Sequence, residues 1–596
     1  FGSSCCAAPR GRICALGTPA GPNFRRLAMA VDTTKLLIVL AGSLTVLLQT
    51  IVQAASGWDS FWVWVLIVSA TSALVCTPFI VVDLYRARRK TLGDPSRRAP
   101  SMFLSVLWVL GALPATLEKP FALTGNGYFG TWAALTASWL MAVSDYSCLS
   151  DRVDMLAKSG GGASLAVILL ASVTLFLQTT WGCSTVGSFC NDNAAWMLVC
   201  SLVSTVLCGA LLQAQVADKL LPHFKKVSLF FLVWWAAGAV VTTFEDPYAT
   251  THANGYFSCW AAIAASARLV DCSWGLSVSE STLEHASQAA GGTPREILVL
   301  LLASTVALVA SSIDCREIVC SGTEAWAVVC SAVSLVACCF ITCSRMKHGE
   351  SLEGHWHKIA ACLLMWWIVG TSTATFVSPF RRLGNGYFAT WTALGSVVHF
   401  ALNHLQAPRL LQRDLGADKK ELAAIFAASA ILSLQAVLDC SSQSCSNGLT
   451  EAVTFALVAL FACICILVLF DKIEGYFKWI VVGSFLWWSI GVFFFTFHQP
   501  FVRTGNGYFA LWLAWGASGR LLLRQFPQLQ GYVDLGDTPS GTSGTLESSA
   551  APTIIGSEYQ GEAMAEPTHA ITDPFSSPTA QHTNVPQVRP PEVGEV

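Results

Sequence analysis

Charged residues are scarce in this chain, and those present avoid its long apolar runs. Asp, Glu, Lys and Arg make up 12% of 596 residues against 54% hydrophobic ones, and the mean hydropathy is +0.55. That balance excludes an ordinary soluble protein. No clear acid or base lies midway along any apolar run, so the ionisable groups used by proton relays, ion pathways and voltage sensors are missing. Glu118, Glu245 and His498 sit at the edges of such runs, and His399 stands alone. There is no phosphate-binding glycine loop, no H-E-x-x-H and no G-x-S-x-G elbow. We therefore expect no enzyme activity, no catalytic residues, no cofactor, no metal site and no nucleic-acid partner.

Apolar runs of about 18 to 20 residues dominate instead, each long enough to cross a hydrocarbon core of ~30 Å as a helix. "LLIVLAGSLTVLLQTIV" at 36–52 and "FWVWVLIVSATSALVCTPFIVV" at 61–82 are the first two. Superimposed on them is an internal repeat. "TGNGYFGTWAAL" from Thr124 returns as "HANGYFSCWAAI" from His252, "LGNGYFATWTAL" from Leu383 and "TGNGYFALWLAW" from Thr504. Upstream of each copy, Trp108, Trp235, Trp367 and Trp488 align. Glycine follows at plus three, threonine at plus eight and proline at plus twelve, the last always followed by Phe or Tyr. A pattern this long, repeated at intervals of about 120 to 130 residues, marks one module used four times.

Each module has room for four spans. The fold class is therefore an all-α integral membrane protein with about sixteen transmembrane helices in four parallel tandem four-helix modules. An even span count makes the modules parallel copies related by rotation about the membrane normal, unlike inverted repeats. The modules are expected at 29–158, 159–290, 291–418 and 419–530. Residues 1–28, which precede the first methionine, read as translated upstream sequence or a leader without a fold of its own. Residues 531–596 are rich in Ser, Thr, Pro and Gly, and read as a disordered cytoplasmic tail that could recruit protein partners; "YVDL" at Tyr532 resembles a sorting signal.

Of the 35 Lys and Arg residues, all but Lys119, Arg316, Arg381, Arg382 and Arg503 fall on the side of the termini. Both termini are therefore expected to be cytoplasmic, in a plasma membrane or endomembrane. Three short loops on the opposite side carry the candidate disulfides Cys183 with Cys190, Cys315 with Cys320, and Cys440 with Cys445.

In the repeated corner, proline ends a span and the aromatic beside it suits the membrane interface. The asparagines Asn126, Asn254, Asn385 and Asn506 are expected to cap the next helix. Tyr128 and Trp132, Tyr256 and Trp260, Tyr387 and Trp391, and Tyr508 and Trp512 are four apart and share a helix face. These residues are assigned a structural role. Gln49, Gln178 and Gln435 recur in the first spans, and W-x4-S-x2-S recurs in the second spans of three modules. The function expected is a membrane scaffold or interaction protein whose partner is first of all the bilayer. The alternative is a channel or facilitator for a small neutral or polar solute, with the three glutamines along an axial path.

Overall fold

The structure, a computed structural model, describes residues 22–526 apart from 56, 90–97, 159–160, 186–189, 214–222, 245–247, 249–252, 275–280, 318–319, 321, 349–352, 406–416 and 443–444. The acidic tail with Tyr532, the edge residue Glu245 and the first 21 residues lie outside the described residues. No strand occurs among the described residues. The long helices are α1 (Pro22–Ala54), α2 (Ser60–Arg89), α3 (Arg98–Leu117), α4 (Asn126–Asp145), α5 (Gly162–Thr185), α6 (Asp192–Leu212), α7 (Phe224–Phe244) and α8 (Ala253–Trp274). They continue with α9 (Arg295–Glu317), α10 (Gly322–His348), α11 (Trp356–Ser372, running on through a π turn at Thr373–Val377), α12 (Asn385–His404), α13 (Ala417–Ser442), α14 (Asn447–Val468), α15 (Phe477–Phe497) and α16 (Asn506–Gln525). Helix α1 opens at Pro22, so the segment expected to lack structure before Met29 contributes its first turns.

Among the described residues, twelve helices are long and apolar enough to cross a membrane. The chain is thus a multi-pass, helical, membrane-like protein. The four helices that open at the repeated asparagine or just before it, α4, α8, α12 and α16, fall outside the twelve. Their sequences carry Asn, Tyr, Ser, Thr and Gly where the other helices carry Leu, Val and Ile. They tolerate this because their polar positions are buried by neighbours, as with Asn126, Thr131 and Ser138 of α4.

Helix α1 packs along α2 and α4, and α3 along α4; the same neighbour relations recur within α5–α8, α9–α12 and α13–α16. Among the described residues five apolar clusters result; four each hold one of the aligned tryptophans, Trp108, Trp235, Trp367 or Trp488, buried to 1% exposure or less, and the fifth gathers Ala310, Ala327, Ala374, Phe380 and Tyr387. Trp108 Nε1 donates to Ser72 Oγ at 2.9 Å, and Trp367 Nε1 to Ser334 Oγ at the same distance. In these two groups the recurrent serine of the second span accepts from the recurrent tryptophan of the third, whereas in α5–α8 Trp235 Nε1 and Ser204 Oγ are buried without a hydrogen-bond partner. In the last group no serine is present, and Phe455 packs edge-on to Trp488 instead.

The glycine three residues after each tryptophan lets the third helix approach the second. A Cβ on Gly111 would meet Val68, on Gly238 or Gly370 the sulfur of Cys200 or Cys330, and on Gly491 the ring of Phe455. The aromatic after proline, expected to suit the membrane interface, is buried inside the protein. Phe121, Tyr248, Phe380 and Phe501 are 1–6% exposed, and each ring lies on the glycine that follows the repeated asparagine. Its backbone N–H turns back to the preceding helix, as in Phe121 to Ala115 O at 2.8 Å and Phe380 to Ala374 O at 2.7 Å. The corner is shut by an aromatic plug, and the Gly of N-G-Y-F is required because the plug occupies the space of its side chain.

The cysteine pairs Cys183–Cys190, Cys315–Cys320 and Cys440–Cys445 are joined, with Cα–Cα distances of 4.7, 4.6 and 4.4 Å, within the span a disulfide bridges.

Two predictions follow from this packing. Gly386→Ala places a methyl inside the Phe380 ring and should destabilise the protein by about 1–3 kcal/mol, as overpacking does. Its thermal midpoint in detergent should fall, and Phe380→Leu in the same chain should restore part of the loss; an unshifted midpoint refutes the plug. Peptide mapping without reduction should recover the three cysteine pairs, each within its own loop.

Candidate functional site

The asparagine that opens each fourth helix does not cap it. The cap positions of α4, α12 and α16 are Gly125, Gly384 and Gly505, in extended backbone, with no side-chain capping bond. Each asparagine side chain points instead to the preceding group of helices. The expected capping role is corrected on this ground: the amide is committed to long-range contacts.

At the joint between α4 and α8, Trp132 Nε1 donates to Asn254 Oδ1 at 3.1 Å. Asn254 Nδ2 donates to Thr116 Oγ1 at 2.9 Å and lies 3.4 Å from Gln178 Oε1. Gln178 Nε2 in turn donates to Leu117 O at 3.0 Å, at the end of α3. At the next joint, Tyr256 OH and Trp260 Nε1 donate to Asn385 Oδ1 at 2.9 and 3.1 Å, and Asn385 Nδ2 donates to Thr243 Oγ1 at 3.0 Å. At the third, Tyr387 OH and Trp391 Nε1 donate to Asn506 Oδ1 at 3.0 and 3.2 Å. Asn506 Nδ2 donates to Thr375 O and Oγ1 at 3.0 and 3.2 Å, with Gln435 Oε1 at 3.3 Å.

The fourth joint connects the last helices to the first. Tyr508 OH and Trp512 Nε1 donate to Asn126 Oδ1 at 2.8 and 3.3 Å, Asn126 Nδ2 donates to Thr496 Oγ1 and O at 2.9 and 3.1 Å, and Gln49 Nε2 approaches Phe497 O at 3.5 Å. The order of donors and acceptors is therefore cyclic. Every asparagine takes two aromatic donors, or one at Asn254, from the group before it, and gives its N–H to the threonine at plus eight of that same group.

Further contacts reinforce individual joints. Rings stack across three of them, Tyr128 on Phe257, Tyr256 on Phe388 and Tyr387 near Phe509, with centroids 6.2 to 6.3 Å apart. Trp181 Nε1 donates to Glu118 at 3.1 Å, Arg381 pairs with Asp439, and Thr124 and Thr504 share a hydrogen bond. Backbones also close in: Ala253 N donates to Ala122 O at 3.2 Å, and side chains on Gly125 or Gly505 would press on Val502 O or Arg381 O. That crowding explains why the residue before Asn126 and before Asn506 is glycine.

The structure brings the asparagines, tyrosines, tryptophans and glutamines of the sequence reading together at these joints, pairing residues of adjacent copies. The glutamines are buried, Gln49 to 1%, Gln178 to 0% and Gln435 to 6%. Each is held against a helix end or an asparagine of a different joint. The threonines at plus eight, Thr116, Thr243, Thr375 and Thr496, are the functional partners that sequence reasoning left without a role, although their recurrence in all four copies was the signal. His399 is exposed and bonds Glu296 at 2.8 Å, beside Asn403. Among the described residues no cluster of His, Cys, Asp or Glu could hold a metal ion.

Removing an asparagine strands two or three buried polar partners, each costing about 1–3 kcal/mol when unpaired. Asn506→Ala should therefore lower stability in detergent by roughly 2–4 kcal/mol. A double-mutant cycle of Asn506→Ala with Tyr387→Phe should give a coupling of about 0.5–2 kcal/mol; strict additivity would mean that the pair does not interact. No family model, curated protein or solved structure matches the chain.

Proposed function

We propose that this chain is a non-catalytic membrane scaffold in which four tandem tetraspan repeats, sixteen spans in all, close into a ring through asparagine-centred joints. The observation that carries this reading is the cyclic set of bonds that ends with Tyr508 and Trp512 on Asn126. In a head-to-tail interface, a rotation that closes yields a finite ring. Four copies within one polypeptide satisfy that closure without a second chain.

Counting the four polar helices as spans is supported by their packing. Helix α4 runs back along α1: Gly130 lies by Gly42 and Thr45, whereas Ser144 at its other end accepts from Lys35. Twenty residues of helix extend ~30 Å, enough to return the chain across the bilayer. Such helices need not be strongly apolar when protein, not lipid, covers their polar side chains. With this even span count, both termini lie on one side, and the distribution of Lys and Arg favours the cytoplasm. The partners of the scaffold are the lipid around its apolar flanks and proteins recruited by the tail.

The joint chemistry supports a scaffold over a solute path. The asparagine amides are committed on both sides, and the glutamine amide groups of Gln49 and Gln178 end on helix carbonyls. Among the described joint amides, Gln49 Oε1 is the one buried atom left without a partner, and a single acceptor does not make a row of groups that could replace a solute's hydration water.

Ring closure is testable with Thr124→Cys and Thr504→Cys in one chain. The two hydroxyl oxygens are 2.5 Å apart, so a disulfide should form, and fragments cut between them should stay together until reduced. Two free thiols under oxidising conditions would sink the ring. For the transport alternative, vesicles carrying the protein should pass water, small polyols and monovalent ions no faster than empty ones. A flux abolished by Gln49→Leu, Gln178→Leu and Gln435→Leu together would establish a channel instead.

A further inference from the structure

Three of the four groups carry the same trio of buried polar side chains on their first three helices: Ser43, Ser72 and Trp108; Ser172, Ser204 and Trp235; and Ser304, Ser334 and Trp367. In the first and third groups the trio is bonded directly. Ser43 Oγ meets Ser72 Oγ at 2.8 Å and Ser304 Oγ meets Ser334 Oγ at 2.9 Å, and the tryptophan donates to the second serine at 2.9 Å in both. In the second group the residues are identical and the bonds are not made. Trp235 Nε1 and Ser204 Oγ are fully buried and have no hydrogen-bond partner among the described residues. Ser172 Oγ bonds Ile168 O at 2.6 Å, as Ser43 Oγ bonds Val39 O, and retains a lone pair for a further donor.

The packing of α6 on α7 differs at the same level. A Cβ on Gly238 would stand 3.1 Å from Cys200 Sγ, farther than one on Gly370 from Cys330 Sγ, although the two pairs are the same residues in the same places. Met197, where the first and third groups have Val65 and Ala327, brings its sulfur to 3.6 Å of that point on Gly238. The longer side chain takes up space that lets the second and third helices close together in the other groups. An indole N–H and a hydroxyl left unpaired in an apolar core are costly, and a buried water with ~2–4 polar partners is the usual remedy. We propose that one water molecule is bound between α6 and α7. It accepts a hydrogen bond from Trp235 Nε1, exchanges one with Ser204 Oγ and donates to the lone pair of Ser172 Oγ. The bridge replaces the direct bonds that Trp108 and Trp367 make, and the site is particular to the second group.

The test uses the full chain in detergent micelles, isotopically labelled at the tryptophan indole nitrogens, with nuclear magnetic resonance as the readout. The indole proton of Trp235 should show through-space transfer to water, and those of Trp108 and Trp367 should show none. Each signal is identified by its loss in Trp235→Phe, Trp108→Phe or Trp367→Phe. Should Trp235→Phe fail to fold, Ser204→Ala, which keeps the indole and removes one partner of the water, identifies the same signal by its shift. Ser204→Val, which puts methyl groups into the bridge, should abolish the transfer at Trp235 and leave the signals of Trp108 and Trp367 in place. No transfer at Trp235, equal transfer at all three indoles, or a Trp235 transfer that persists in Ser204→Val overturns the proposal.

Discussion

An asparagine side chain shared between two groups of helices is the constraint on which the rest of this architecture depends. In a low-dielectric setting an amide must have both ends occupied, because an unpaired donor or acceptor loses its water without compensation. Here the oxygen of Asn385 is held by Tyr256 and Trp260 and its nitrogen by Thr243. All three partners come from the preceding group. The amide can be satisfied only when the two groups meet in one orientation, so each joint sets direction and angle as well as attachment. The tyrosine and tryptophan four residues apart, the threonine at plus eight and the flanking glycines are what this one requirement needs from the sequence.

Within each group the logic is apolar. A tryptophan fills the centre, a glycine one turn later admits the neighbouring helix, and an aromatic plug closes the corner above the next glycine. These features position the asparagine: the plug fixes where the fourth helix starts, and the helix start fixes where the amide points. The polar joint and the apolar core are thus linked by the short segment from the proline to N-G-Y-F, which explains why the repeated signature is concentrated there.

The helices themselves were legible in the sequence, because apolar length alone sets them, and so were the cysteine pairs, because five to seven residues of separation within one loop leave little choice of partner. The fourth helices were legible by their repeat and not by their hydropathy, since burial against protein removes the need for an apolar surface. The joints were illegible for a specific reason. Spacing of four puts Tyr387 and Trp391 on one face, but nothing local states that this face meets Asn506, 119 residues away from Tyr387. The asparagine at a helix start has an ordinary local use as a cap, and that reading competed with the long-range one. The glutamines carried the same ambiguity, for a buried amide near a helix end serves a solute path or a neighbouring carbonyl equally well on sequence grounds.

The joints also differ in the side chains that reinforce them. Three of them add a glutamine to the asparagine; at the joint onto Asn385 the equivalent position is Ala310. The joints onto Asn254 and Asn506 gain Trp181 on Glu118 and Arg381 with Asp439 respectively, and the closing joint gains the Thr124–Thr504 bond. The joint onto Asn385 has its asparagine, two aromatic donors, one threonine, a ring stack, and Phe244 packed against the cluster of Ala310, Ala327, Phe380 and Tyr387. In a closed ring, opening a single joint leaves its two sides tethered through the other three, so the loop-closure entropy of re-forming it is small. Opening a second joint divides the ring into arcs held by the chain alone, and the cost of re-forming either joint rises. Cooperativity of the ring therefore begins at the second break.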